Sequence, residues 1–228
     1  MAHIAEDLLL LLLDNASAQP GLDRPRRQRV LAAAVLLDLA WACRIRPAVD
    51  GEAVAAGTLI ALAGDGPLDP ITGPALALLS QRALRPSSAI AKLGRHTEGR
   101  LVEHLERSGQ IRRIALPSKG FRKSVAFKKE MALPLIARDR TGPARAALLS
   151  ALFDRRPPAP PTAAIISLLH AVDGLGALLS LNDRGWRWVH ARAGEIALGS
   201  WVDESPTALP EVNLAVTMSA LRPALSAR

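Results

Sequence analysis

The chain has almost no cysteine and few aromatic side chains. Its 228 residues include one cysteine and no tyrosine, and only 3% of them are aromatic. A single thiol cannot form an intrachain disulfide, so we expect a reducing compartment, the cytoplasm. The abundance of alanine, leucine, arginine and proline is typical of a GC-rich bacterial genome and carries no information about function.

The sequence also lacks the residue clusters that form catalytic or metal centres. Its five histidines are far apart, and none has a carboxylate or cysteine at metal-ligand spacing. No Walker loop and no dinucleotide fingerprint is present. Cys43 and Asp38 both fall in an apolar segment, where we interpret Cys43 as a buried, inert thiol and Asp38 as a capping or salt-bridging carboxylate. We therefore expect neither an enzyme nor a cofactor or metal site.

Two long apolar stretches are candidates for membrane spans, and both are better interpreted as core. Within residues 30–43 only Asp38 is polar, but 14 residues are too few for a bilayer, which needs about 20. Residues 162–181 are long enough, but His170, Asp173 and two glycines lie near the middle and oppose insertion. The first stretch is rich in alanine and leucine, which favours a buried central helix.

The hydrophobic pattern predicts a mainly α fold, a helical bundle around that central helix with one or two β-hairpins. We predict helices over residues 2–13, 26–43, 71–82, 87–93, 97–107, 143–153, 184–197 and 210–225. Residues 44–49 and 58–63 are predicted to form a first hairpin. The proline-rich segment 157–161 is interpreted as a stiff connector within a single domain that spans residues 1–228.

A second predicted hairpin is basic and projects from the bundle. It joins residues 110–116 to residues 121–131 through a turn at 117–120. Alternation predicts an apolar face made of two residues from each strand: Ile114 and Leu116 opposite Val125 and Phe127.

Positive charge is concentrated in one part of the chain. The formal net charge is +8, and residues 92–129 hold eleven basic and three acidic side chains, so this window equals the excess of the whole protein. Every lysine lies within it. Such a cluster predicts an acidic partner, either nucleic acid or an anionic lipid surface. The alternative interpretation is a basic face that serves only solubility.

The same window is compatible with a winged helix-turn-helix. Helices 87–93 and 97–107 would be its helix pair, and residues 110–127 would be its wing. Three glutamates in the second helix and the absence of Asn or Gln for reading adenine argue against this arrangement. DNA binding is therefore kept as the alternative to lipid binding.

Four segments in order along the chain resemble the Golgi phosphoprotein 3 family, including its bacterial members. They are EDLLLLLLD at 6–14, LLDLAWACRI at 36–45, LVEHLERSGQI at 101–111 and AAIISLLHA at 163–171. The resemblance implies a mostly helical single domain with a central bundle and a projecting β-hairpin. It also implies a protein that associates peripherally with membranes.

Eukaryotic members of that family bind phosphatidylinositol 4-phosphate and link Golgi membranes to cargo enzymes. They use a tryptophan in the loop before the central helix, an arginine near the start of that helix, and two arginines further along. In this sequence the loop at 14–25 has no tryptophan, and the helix position is Ala32, with Arg29 one turn earlier. The other two positions are Arg95 and Glu98.

Together these observations predict a non-enzymatic cytoplasmic protein that binds anionic lipid headgroups at the inner face of the cell membrane. The candidate lipid-binding residues are Arg29, Arg95, Arg100 (which also matches a family arginine), Lys119, Arg122 and Lys123, and the candidate membrane-contacting residues at the hairpin tip are Leu116 and Phe121. The implied partners are anionic membrane lipids, a protein cargo and, through the hairpin, a second copy of the chain, with nucleic acid as the alternative.

Overall fold

Helices make up most of the structure. The computed structural model describes residues 3–64, 69–116, 131–202 and 209–226. This part of the chain contains eight α-helices: α1 (His3–Leu13), α2 (Arg24–Trp41), α3 (Gly73–Gln81), α4 (Pro86–Arg107), α5 (Thr141–Phe153), α6 (Pro160–Ala171), α7 (Asp183–Ala197) and α8 (Leu209–Ser226). Two antiparallel strand pairs accompany them: β1 (Ile45–Pro47) with β2 (Leu59–Ala61), and β3 (Ile114–Ala115) with β4 (Met131–Ala132). The prediction of a mainly α fold with hairpins is confirmed.

Helix α2 is the centre of the core, as its apolar sequence predicts. Every residue from Val30 to Ala40 is buried, and the helix packs against α1, α4, α6 and α8. It begins earlier than predicted because Asp23 caps it, accepting a 3.0 Å hydrogen bond from the backbone N–H of Arg26.

The end of α2 corrects the prediction for Cys43. The helix ends at Trp41, because the backbone N–H of Arg44 turns back to the carbonyl of Leu39. Cys43 therefore lies outside the helix, half-buried and with a φ of +52°, and the expectation of a buried thiol in the helix is wrong.

Helix α1 is enclosed almost completely, and Asp38 of α2 caps its start. Each residue from Leu8 to Leu13 is at most 1% exposed. The Asp38 carboxylate accepts hydrogen bonds from the backbone N–H groups of Ile4, at 2.8 Å, and Ala5, at 3.0 Å. The predicted capping role of Asp38 is thus confirmed. Burial raises the pKa of this carboxyl to about 8.

A charged cluster surrounds the first turn of α1. Glu6 is only 7% exposed, and Arg140, just before α5, forms ion pairs with both Glu6 and Asp7. His104 of α4 lies 3.5 Å from the other Glu6 oxygen. These contacts join α1 to α4 and to the segment that leads into α5.

Helix α4 is continuous from Pro86 to Arg107, so the predicted division into 87–93 and 97–107 is wrong. Thr97 does not cap a new helix. It is buried, and its hydroxyl donates a 2.8 Å hydrogen bond to the carbonyl of Leu93 inside the same helix. Because the turn between two helices is absent, the helix-turn-helix interpretation of these residues fails.

The register of β3 and β4 differs from the predicted hairpin. Ile114 pairs with Ala132, not with Val125 or Phe127. An isolated bridge between Ile111 and Leu135 continues the same register away from the tip. The predicted turn at 117–120 and most of the predicted second strand fall in 117–130, outside the described residues.

The second apolar stretch is interrupted, as its composition suggests. Helix α6 ends at Ala171, Asp173 has a φ of +52°, and residues Leu175–Ala177 form a single 3₁₀ turn. Within the described ranges, no helix is both long and apolar enough to cross a bilayer. Helix α8 closes the bundle over α2, where Asn213 donates hydrogen bonds to the carbonyls of Ala40, at 2.7 Å, and Ile45, at 2.8 Å.

Candidate anion-binding surface

One face of α4 is apolar and buried, and the opposite face is basic. Its buried side includes Ile90, Leu93, Leu101 and Leu105, at helical spacing. The basic face carries four cations, which we call the α4 stripe: Lys92, Arg95, Arg100 and Arg107. At 1.5 Å per residue the stripe is about 22 Å long.

The cations of the α4 stripe are not neutralised by acids of the described chain. Lys92, Arg95 and Arg107 are exposed and Arg100 is half-buried, and none of the four forms an ion pair within the described ranges. Glu103 is the exposed acid of this helix and lies among them. The stripe therefore presents an excess of positive charge to solvent.

The other two glutamates of α4 are occupied by arginines outside the stripe. Glu98 pairs with Arg27 of α2, with Nε and Oε1 2.8 Å apart, and both side chains are largely buried. Glu106 pairs with Arg113, which follows the helix, at 2.6 Å. These pairs leave Glu103 as the acid of α4 that lies among the four cations, so the stripe keeps an excess of positive charge.

Close packing with α2 positions the middle of the α4 stripe. A Cβ on Gly94 would lie 3.3 Å from the carbonyl oxygen of Gln28, so a side chain there would press on the α2 backbone. The buried pair between Arg27 and Glu98 is one helical turn further along. Together these two contacts fix the rotation of α4 and turn the face with Arg95 outward.

The structure places Arg95 and Arg100 on the α4 stripe but directs Arg29 elsewhere. The Arg29 guanidinium is half-buried and donates a 3.2 Å hydrogen bond from Nη1 to the carbonyl of Leu225 at the end of α8. Ala32, at the family arginine position, is 0% exposed. Arg29 is thus tied to the end of α8.

The hairpin candidates are mostly outside the described chain. Lys119, Phe121, Arg122 and Lys123 all lie in 117–130, so the structure does not describe them. Leu116 is described and is half-buried just after β3.

Further cations extend the α4 stripe at both ends, and sequence reasoning missed those at the start. Arg82 and Arg85 are exposed just before α4, and Arg112 is exposed just after it. The charge window that began at Lys92 left the first two out. Pro86 could have indicated where α4 begins, because proline favours the first turn of a helix. A window that started there would have brought in the neighbouring Arg85 and Arg82.

The described residues offer no alternative metal chemistry at this surface. Among them, no three histidine, cysteine, aspartate or glutamate side chains come together as metal ligands would. What the α4 stripe can do chemically is bind anions through guanidinium and ammonium groups.

Comparison with known proteins gives a family match. No curated protein has detectable similarity to the chain. The sequence does match the Golgi phosphoprotein 3 (GPP34) family from residue 4 to residue 211. Because the match covers most of the chain, this protein belongs to the Golgi phosphoprotein 3 family.

Proposed function

We propose that this protein is a non-enzymatic peripheral membrane protein that binds anionic lipid headgroups through the α4 stripe and the adjoining basic hairpin. The observation that carries the proposal is the exposed, unpaired set of cations on one face of α4. Phosphoinositides are the headgroups that the family suggests. A protein cargo and a second copy of the chain, bound through the hairpin, are the further partners that we propose.

The charge of the stripe is sufficient for useful but salt-sensitive binding. Each lysine or arginine near an anionic surface contributes about 1 kcal/mol. Four cations together would therefore contribute about 4 kcal/mol. Because the Debye length shortens from about 10 Å at 0.1 M salt to about 3 Å at 1 M, binding should weaken steeply as salt is added.

Apolar side chains at the base of the hairpin support the same orientation toward a membrane. Ile114 of β3 is 44% exposed and Met131 of β4 is 37% exposed. Ile114 lies two residues after Arg112, which is exposed beyond the end of α4, and Met131 lies on the paired strand opposite Ala115. Apolar residues beside cations are typical of surfaces that rest in the headgroup region.

Liposome co-sedimentation tests this proposal. The triple variant Lys92→Gln/Arg95→Gln/Arg107→Gln should lose at least tenfold in binding to vesicles that contain phosphatidylglycerol. The matched control is Arg156→Gln/Arg184→Gln/Arg187→Gln, which removes three exposed arginines near α5 and α7. Equal losses in the two variants would show that only net charge matters and would contradict a specific face.

Two further measurements separate the hairpin from the helix and lipid from DNA. The variant Lys119→Glu/Arg122→Glu/Lys123→Glu should lose vesicle binding while its circular dichroism spectrum stays unchanged. Unchanged binding would place the site on α4 alone. A gel shift on duplex DNA run in parallel would overturn the proposal if the protein bound DNA but not anionic vesicles.

A further inference from the structure

Two exposed aromatic rings stack on each other where α5 and α7 meet. Phe153, the last residue of α5, and Trp188 of α7 have ring centroids 5.9 Å apart and ring planes inclined by 25°. Phe153 is 37% exposed and Trp188 is 38% exposed. We propose that this aromatic pair, together with the arginines around it, is the docking surface for an acidic segment of another protein.

The aromatic pair stands out because the chain contains few aromatic residues. There are three phenylalanines, four tryptophans and no tyrosine. A single apolar side chain on a surface needs no explanation, but two large rings in contact form a patch. Stacking holds each ring in place, yet both rings of this pair stay open to solvent. Their outer surfaces are therefore available to a partner.

Contacts next to the aromatic pair fix the end of α5 on α7. Arg192 of α7, whose side chain is 11% exposed, donates a 3.1 Å hydrogen bond from Nε to the carbonyl of Ala151. Its Nη2 donates at 3.4 Å to the carbonyls of both Arg155 and Arg156, and its Nη1 pairs with Glu195 at 2.9 Å. A surface that is held in this way loses little conformational freedom when a partner binds.

The charges around the aromatic pair are predominantly positive. The end of α5 and the outer part of α7 carry five arginines and three acids: Arg155, Arg156, Arg184, Arg187 and Arg192 with Asp154, Asp183 and Glu195. Glu195 forms ion pairs with both Arg155 and Arg192.

Three of these arginines are exposed and form no ion pair within the described ranges: Arg156, Arg184 and Arg187. Arg184 precedes Trp188 by one helical turn, so the two side chains share a face of α7. Guanidinium groups bind carboxylates through charge-assisted hydrogen bonds, often two at a time. The surface is therefore complementary in charge to a segment rich in glutamate or aspartate.

The same residues favour a protein segment over a nucleic-acid strand. Aromatic residues and arginine are enriched at the centres of protein interfaces, and tryptophan and arginine are frequent among the residues that dominate binding. A nucleic-acid strand needs cations along successive phosphates, but the exposed acids Asp154 and Asp183 interrupt the arginines of this surface. An acidic peptide can place carboxylates at the arginines and an apolar side chain against the aromatic pair.

The aromatic pair is separate from the α4 stripe. Helix α7 packs mainly against α5 and α6, whereas α4 packs mainly against α1, α2 and α8. The inference therefore does not rest on membrane binding, and variants of one surface serve as controls for the other.

Fluorescence anisotropy with a labelled peptide tests the inference on the full chain. The probe is a fluorescein-labelled peptide with three glutamates on each side of a central Leu-Phe pair, and we expect saturable binding. A probe with glutamine in place of glutamate, and a probe with Ala-Ala in place of Leu-Phe, should each bind at least tenfold more weakly. An absence of saturable binding of the first probe, or equal binding of the Leu-Phe and Ala-Ala probes, would overturn the inference.

Matched apolar variants locate the site. Trp188→Ala should weaken binding of the acidic probe at least fivefold, with an unchanged melting temperature as the check on folding. Leu198→Ala removes a side chain that is 75% exposed just after α7, and should change binding less than twofold. Equal effects of the two variants would overturn the inference.

The two triple variants exchange their roles in this assay. Arg156→Gln/Arg184→Gln/Arg187→Gln should weaken binding of the acidic probe at least tenfold, whereas the triple variant of the α4 stripe should change it less than twofold. The reverse result would place the peptide on the α4 stripe and overturn the inference.

Two other occupants of the surface are outcomes of the same experiment. Single-stranded oligothymidylate that binds more tightly than the acidic probe, and is lost in Trp188→Ala, would identify a nucleic-acid surface. Self-association of the chain that Trp188→Ala abolishes, and that excludes the probe, would identify a second copy. Either result would overturn the inference.

Discussion

Asp38 in the middle of α2 accepts a hydrogen bond from the backbone N–H of Ile4, 34 residues earlier, and so caps a helix to which it does not belong. The second carboxylate oxygen accepts from Ala5. Helix caps are usually local, supplied by the residue just before the helix. Here one side chain fixes the position of α1 against α2.

Removing this remote cap should destabilise the protein strongly. Asp38→Ala leaves two buried N–H groups without a partner, at about 1–3 kcal/mol each, so we expect the free energy of unfolding to fall by about 2–6 kcal/mol. Urea denaturation followed by circular dichroism measures this. The control is Asp23→Ala, which removes the exposed cap of α2 and should cost about 1 kcal/mol. Equal losses of unfolding free energy in the two variants would show that Asp38 contributes no more than an ordinary exposed cap.

The pKa of Asp38 predicts a pH dependence of stability. Burial raises this pKa from 3.8 to about 8 in the folded protein, so between these values the folded state holds a proton that the unfolded chain releases. Stability should therefore fall as pH rises through this window, by at most about 1.4 kcal/mol per pH unit.

Comparison with Asp38→Asn isolates this effect, because an amide does not titrate. We would measure the free energy of unfolding of both proteins in urea at several pH values from 5 to 8. As pH rises, the wild type should lose stability relative to Asp38→Asn. A difference that stays constant would show that Asp38 is ionised in the folded protein throughout this range.

Removing Arg140 should cost more stability than removing its neighbour Arg138. Arg140→Met leaves the nearly buried Glu6 without its ion-pair partner, which should lower the free energy of unfolding by about 3 kcal/mol. Arg138→Met removes a side chain that is 75% exposed and pairs with Asp14 at 3.5 Å, and should cost less than about 1 kcal/mol. Thermal and urea unfolding of both variants would test this, and similar costs would show that Arg140 is not needed to balance the charge of Glu6.

Removing the charge of Glu103 should strengthen membrane binding. It is the exposed acid among the cations of the α4 stripe, so Glu103→Gln should strengthen binding to anionic vesicles by about fivefold, equivalent to about 1 kcal/mol for one charge at the surface. Asp154→Asn makes the same change of charge at the end of α5 and should have little effect. If the two variants bind alike, the stripe does not face the membrane.

Much of the fold could be predicted because its central helices have long apolar runs in the sequence. The apolar runs of α1 and α2 predict buried helices. The sequence wrongly predicts two helices in place of α4, since Gly94 and Thr97 both favour helix ends locally. Packing decides otherwise: Gly94 is required where α4 crosses Gln28, and Thr97 hydrogen-bonds within the helix.

The site was predictable in its charge but not in its geometry. The basic window together with the family resemblance pointed to Arg95 and Arg100. The pairing of Glu98 with Arg27, in contrast, joins residues 71 positions apart and cannot be inferred from either segment. The bridge between Leu59 and Leu84 likewise joins two residues that no sequence pattern distinguishes. Long-range backbone pairing of this kind is specified only by the assembled core.

The enclosure of α1 has a consequence for synthesis on the ribosome. This leucine-rich helix is made before α5 and α6, which cover part of it and are followed by α7 and α8 among the described helices. At a synthesis rate of about 5–20 residues per second, its apolar surface stays uncovered by these helices for roughly 10–30 s. We expect nascent chains that stop before Ala171 to bind chaperones through residues 4–13, and chains that extend beyond α6 to be released.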